Sequence, residues 1–243
     1  PPDRAIVLET AIALAFGHSL ADFLMQTDEM VRQKARPHIL LLHVCIVTAV
    51  SWAALGFPLE PLLLILVAVS HYVIDWLKLR CGSGGFGPFV IDQAAHLAVI
   101  LLGASLFPGA WAAGLWAQGP GHFALLPQAM ALGAGFVFTV WGGDYAVRAL
   151  MSELTPPDPA SLPKGGRLIG RLERAMILML VIAGQPDGIG FLIAAKSLLR
   201  FNDLAQDKDR RVSEYVIIGT LASFAWGLAA AFATHLALVT LGP

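Results

Sequence analysis

LEPLLLILVAVSHYVIDWLKL, residues 59–79, decides the fold. The run is long enough to cross about 30 Å of hydrocarbon, which takes about 20 largely apolar residues. It nevertheless carries His71 and Asp75 in its second half. Four residues apart on a helix, the two side chains share one face. Ionisable groups inside lipid are costly, so a span that keeps them marks a functional site. The pair recurs as His18 and Asp22, and in reversed order as Asp92 and His96.

Composition extends this reading to the whole chain. Of 243 residues, 57% are hydrophobic and 14% charged, against about 25% charged in soluble proteins, and the mean hydropathy is +0.70. Apolar runs at residues 5–26, 39–57, 59–79, 89–107, 123–150 and 215–241 give six spans. Residues 175–184 and 189–199 form two shorter runs around Gln185-Pro186-Asp187-Gly188, either short spans or a re-entrant hairpin. The expected architecture is an all-α, polytopic transmembrane helical bundle of six spans plus the short pair, or eight spans if both cross.

Lys and Arg gather in cytoplasmic loops, which orients these spans. Arg32, Lys34 and Arg36 follow the first run, Lys78 and Arg80 the third, and Arg148, Lys164 and Arg167 the fifth. Lys208, Arg210 and Arg211 precede the last, and Arg171, Arg174, Lys196 and Arg200 sit at matching ends of the short pair. Only Arg4 falls on the opposite face. The expectation is a multi-pass protein of a bacterial inner membrane with both termini on the non-cytoplasmic side, whether or not the short pair crosses.

The first run lacks the basic n-region of a secretory signal and contains Glu9, His18 and Asp22, so it reads as a mature helix. Cys45 and Cys81 form neither a disulfide framework nor a zinc spacing. A Pro-rich cytoplasmic linker at 151–167 separates a five-span block, 1–150, from the short pair and last span at 168–243, all packed into one domain. With a net charge of −1, nothing points to nucleic acid.

The orientation gives the polar residues depths. In each pair the carboxylate lies nearer the cytoplasm and the imidazole about 6 Å deeper, at about 1.5 Å rise per residue. His43, early in an outward-running span, reaches the same level. His18, Asp22, His43, His71, Asp75, Asp92 and His96 therefore form one slab, close to a site for one or two divalent ions. Imidazole with carboxylate suits Zn, which is favoured, and also Mn or Fe. Asp22, Asp75 and Asp92 are the candidates for a general base on bound water. Gln26 and Gln93 are hydrogen-bonding neighbours without a ligand role, Gln93 pointing away from Asp92 on its helix. Gly82-Ser-Gly-Gly-Phe-Gly87 matches a dinucleotide fingerprint literally but follows a transmembrane helix, so it reads as a tight turn.

A second polar group comprises Asp144, Arg148, Glu173, Arg174, Lys196 and Arg200. One reading is positive-inside anchoring with snorkelling ion pairs. The other is an anion clamp in which Arg174, Lys196, Arg200 and Arg148 hold a phosphate.

GHSLADFLMQ (17–26), HYVIDWLK (71–78) and IDQAAH (91–96) resemble signatures of the bacterial DUF3307 family, and GRLER (170–174) and AAKSLLRF (194–201) resemble its C-terminal half. The resemblance extends over nearly the whole chain. It implies a multi-pass membrane protein and assigns no reaction. A looser similarity, in residue types, is to bacterial inner-membrane metal-dependent hydrolases.

The function expected is a membrane-embedded, metal-binding protein, leaning to a metal-dependent hydrolase of a lipid or lipid-linked phosphate at the cytoplasmic leaflet. The alternatives are a metal-ion or proton transporter using the same cluster, and a structural membrane subunit. Membrane lipids are the expected partners. The oligomeric state stays open, since glycines such as Gly133 and Gly135 serve contacts within or between chains.

Overall fold

The structure is a computed structural model. It describes residues 4–82, 84–119, 123–154, 165–206 and 210–242, with side chains described except at 4, 199–206, 210 and 212. Among the described residues there are helices and turns and no strand. The helices are α1 (Arg4–Leu20), α2 (Asp28–Gln33), α3 (Pro37–Ala54), α4 (Pro61–Cys81), α5 (Phe86–Leu106), α6 (Leu115–Gln118), α7 (Leu126–Val137), α8 (Gly143–Met151), α9 (Gly165–Ile182), α10 (Gly188–Gln206) and α11 (Arg210–Leu241). This is an all-α, polytopic membrane bundle.

Five helical segments among the described residues are long and apolar enough to span: Ala5–Met25, Pro37–Ala54, Pro61–Cys81, Phe86–Leu106 and Ser213–Leu241. The sixth expected span, 123–150, is instead α7 and α8 joined by a π-helical turn at Phe138–Gly142. Asp144 and Arg148 fall in its last two turns and dilute its apolar character. The short apolar pair lengthens into α9 and α10, because α9 begins ten residues before the apolar run, at Gly165. Gly184, with φ of +69°, ends α9 as Gln185 N–H donates to the Leu180 carbonyl. Most of the expected 151–167 linker, residues 155–164, lies outside the described residues.

The chain forms two compact units. The first comprises residues 1–83, 87–137 and 236–243. Here α1 packs against α3 and α7, and α3 against α4. Its apolar core joins Ile12, Leu14, Leu55, Leu63, Trp111 and Met130. Outward faces stay apolar, as at Leu62, Ile65 and Val69 of α4, which suits lipid and not water. Gly17 brings α1 and α3 together, since a Cβ there would lie 2.8 Å from the Ser51 Cα. The end of this unit near Thr10 is closed by the loop after α5: Thr10 Oγ1 donates to the Pro108 carbonyl at 2.8 Å and accepts from Trp111 N–H at 3.1 Å.

The second unit comprises residues 84–86 and 138–235. Ile177, Leu178, Val181, Ile189, Phe224 and Ala231 form its core. Gly85 in this unit and Gly82 in the first have φ of +91° and +99°, a backbone region that favours glycine, while Ser83 of the expected tight turn lies outside the described residues.

Candidate metal centre

Four helices of the first unit carry the seven predicted residues at the ends that the α1–α3 and α4–α5 connections join. His43 comes from the second turn of α3, His71 and Asp75 from the last three turns of α4, and Asp92 and His96 from the first three turns of α5. His18 ends α1, and Asp22 lies in the π-helical turn Ala21–Met25 that follows. This wider turn is a feature that often accompanies functional sites. None of the seven is more than 9% exposed.

The side chains converge. His71 Nε2 lies 3.0 Å from His43 Nε2, 3.3 Å from Asp75 Oδ2 and 3.5 Å from Asp22 Oδ1. His43 Nε2 lies 3.2 Å from Asp22 Oδ1 and 3.6 Å from Asp75 Oδ2. The His96 ring packs on those of His71 and His18, with centroids 4.3 Å and 4.7 Å apart. Among the described residues, three groups each have ligand atoms within 4.8 Å of one another: His18–His71–His96, Asp22–His43–His71 and Asp75–Asp92–His96.

Buried polar atoms are normally paired, yet among the described residues Nε2 of both His18 and His96 has no hydrogen-bond partner, nor does Asp92 Oδ1. His96 Nδ1 lies 2.9 Å from the Asp92 carbonyl. That contact fixes the ring and leaves Nε2 available, as in metal-ligating imidazoles. A cavity of about 20 Å³, enough for a water, is lined by Leu14, His18, Val47, Ser51, Ser70 and His96. The orphaned nitrogens, mixed donors and tight spacing fit a divalent cation.

Two partners of the cluster, Lys34 and Lys78, were not legible as such, and a third, Gln93, was expected as a neighbour. Lys34 Nζ lies 2.7 Å from Asp75 Oδ2, and Lys78 Nζ lies 2.7 Å from Asp92 Oδ2. Gln93, expected to point elsewhere, turns back to donate to Asp92 Oδ2 at 3.0 Å. A lysine after a span looks like a topological anchor, so neither lysine stood out.

The residues expected to clamp an anion belong to the second unit. Arg174, 2% exposed, donates to the Thr139 and Val140 carbonyls, the Ser223 hydroxyl and Asp144 Oδ1. Trp226 Nε1 donates to the Phe138 carbonyl. Together they satisfy carbonyls in the π-helical turn. A Cβ at Gly143 would lie 2.7 Å from the Arg174 Cδ, so glycine there leaves room for the guanidinium. These four bonds engage four of the five Arg174 N–H groups within its own fold, an arrangement different from the expected clamp. Lys196 Nζ pairs with Glu173 at 2.6 Å, and Arg171 Nε with Asp144 at 2.5 Å. Arg148 lies over the Tyr145 ring, not on Asp144 four residues before it. The Arg200 side chain lies outside the described residues.

Comparison with curated proteins and with solved structures gave no match. A family match covers residues 10–113 and stops before GRLER and AAKSLLRF, so it is narrower than the expected resemblance. Those residues, which supply all seven converging His and Asp side chains, match the family model of DUF3307, a protein of unknown function.

Proposed function

We propose that the cluster is a metal centre, with zinc favoured over manganese or iron. On this reading it hydrolyses a lipid or lipid-linked phosphate at the cytoplasmic leaflet of a bacterial inner membrane, both termini lying on the other side. The supporting observation is the convergence of seven buried donors in overlapping sets, with His96 Nε2, Asp22 Oδ1 and Asp92 Oδ1 left without a hydrogen-bond partner among the described residues. Two of those sets share no residue: Asp22–His43–His71 and Asp75–Asp92–His96. The third borrows His71 and His96, so two ions would occupy the disjoint sets and leave His18 free beside the water-sized cavity.

Bound divalent cations would acidify a water and offset phosphate charge. With the aspartates engaged as ligands, His18 is the side chain left to take the water's proton. As water oxygen bonds to phosphorus, the bond to the lipid alcohol breaks and the departing oxygen recovers a proton. A transporter needs polar groups continuing across the membrane. The first unit instead packs Ile12, Leu55, Leu63 and Trp111 beyond the cluster, which favours hydrolysis at one face.

Elemental mass spectrometry of detergent-purified protein, prepared without chelator, tests the centre. One or two equivalents of metal are expected, absent from the folded His71→Ala/Asp75→Ala variant. Metal-free wild-type protein overturns the proposal. Phosphate release from phosphatidic acid by the loaded protein then tests the reaction.

A further inference from the structure

Lys34 and Lys78 reach into the cluster from opposite sides of the sequence, one from the C-terminal cap of α2 and one from the last turn of α4. Membrane-anchoring lysines extend their ammonium groups into water. These two do the reverse: their side chains are 12% and 26% exposed, and each ammonium lies 2.7 Å from a buried carboxylate. Lys78 bypasses Asp75, three residues before it on its own helix, and pairs with Asp92 of α5. Ligand atoms of Asp75 and Asp92 belong to a single group within 4.8 Å, so both ammonium groups border one patch.

Charge decides what that patch takes. Three carboxylates against two ammonium groups leave one negative charge when the four imidazoles are neutral. Two divalent cations reverse this to three positive charges in a site buried from water. Uncompensated charge in such surroundings is costly, so the loaded site demands an anion. A phosphate monoester dianion with one hydroxide balances it. The cations would also compete with each ammonium for its aspartate oxygen, freeing N–H donors where the anion arrives.

We propose that Lys34 and Lys78 form the phosphate subsite of this centre, released from Asp75 and Asp92 by metal and then binding the oxygens of a phosphate monoester. The inference rests on the metal reading and moves the anion-holding role to the unit that carries the donors. The ligand chemistry is a terminal phosphate, on a lipid headgroup or in solution.

The test uses the full chain in detergent, with and without Zn²⁺, and titrates two ligands separately: inorganic phosphate, and micelles containing phosphatidic acid. Zinc content is measured on the same samples. Zinc-loaded wild-type protein is expected to bind at least one ligand, and the zinc-free protein neither. Lys34→Gln and Lys78→Gln should each weaken binding about tenfold or more, as loss of a charge-assisted hydrogen bond predicts, with zinc content unchanged. Lys34→Arg and Lys78→Arg should recover part of that affinity, which a folding defect would not allow. A lysine-dependent loss confined to phosphatidic acid assigns the subsite to a headgroup; one confined to inorganic phosphate assigns it to a soluble ligand. Unchanged binding in both Gln variants, or no binding of either ligand to zinc-loaded protein, overturns the subsite and leaves the metal centre standing. Failure to take up zinc, manganese or iron overturns both.

Discussion

His71 belongs to two of the three donor groups, whereas His18 belongs to one, and that one cannot be filled alongside the other two. The two imidazoles should therefore respond differently to removal. His71→Ala is expected to lose at least one of the metal equivalents measured in the wild type. His18→Ala should retain them and lower phosphate release by about 100-fold or more, the usual scale of a proton-transferring group. Metal content and turnover on the same preparations check this, and equal metal loss in both variants would refute the division. The seven donors could be found in the sequence because spacing of four puts each pair on one helix face and lipid makes such pairs conspicuous. Lys34 and Lys78 could not, because a lysine just past a span has the same sequence appearance whether it faces water or a carboxylate. Arg174 misled for a related reason: its need for carbonyl partners arises from a backbone turn that no side chain announces.

At the scale of the helix, Gly17 places α1 against α3 immediately before His18. Alanine normally stabilises a helix interior relative to glycine by about 0.5–1 kcal/mol. Here its Cβ would sit 2.8 Å from backbone of Ser51, an atom that cannot turn aside. Gly17→Ala should instead destabilise, by about 1–3 kcal/mol as overpacking does, and lower the thermal midpoint in detergent. A raised midpoint would show that the helices part without cost. Hydropathy made four of the site-bearing segments legible, since their apolar runs match α1, α3, α4 and α5 closely. The two π-helical turns were hidden, because one extra residue per turn changes no period in a helix that is apolar on most faces. The start of α9 was hidden as well: Arg167, Arg171, Glu173 and Arg174 make its first half too polar to count as part of an apolar run.

Across the whole molecule, two buried polar networks lie in separate compact units and have different chemistry. In the first, His96 Nε2, Asp22 Oδ1 and Asp92 Oδ1 have no hydrogen-bond partner among the described residues, which leaves ligand atoms for a cation to satisfy. In the second, Arg174, Asp144, Arg171 and Ser223 satisfy one another and the backbone around Phe138–Gly142. A ligand that binds only the folded state adds stability as its concentration exceeds Kd, by about 2.7 kcal/mol at a hundredfold excess. Zinc should therefore raise the thermal midpoint of the wild-type protein and chelator should lower it, whereas His71→Ala should blunt this response. Arg174→Ala removes one of the two guanidinium partners of the buried Asp144, leaving Arg171, and takes a donor from the Thr139 and Val140 carbonyls, a loss of about 1–3 kcal/mol. It should lower the midpoint with or without zinc and leave the bound equivalents unchanged in the fraction that stays folded. Thermal unfolding and elemental analysis of both variants measure the two effects independently. If Arg174→Ala emptied the metal centre as completely as His71→Ala, the second network would be a condition for metal binding and its role would extend beyond holding its own unit together.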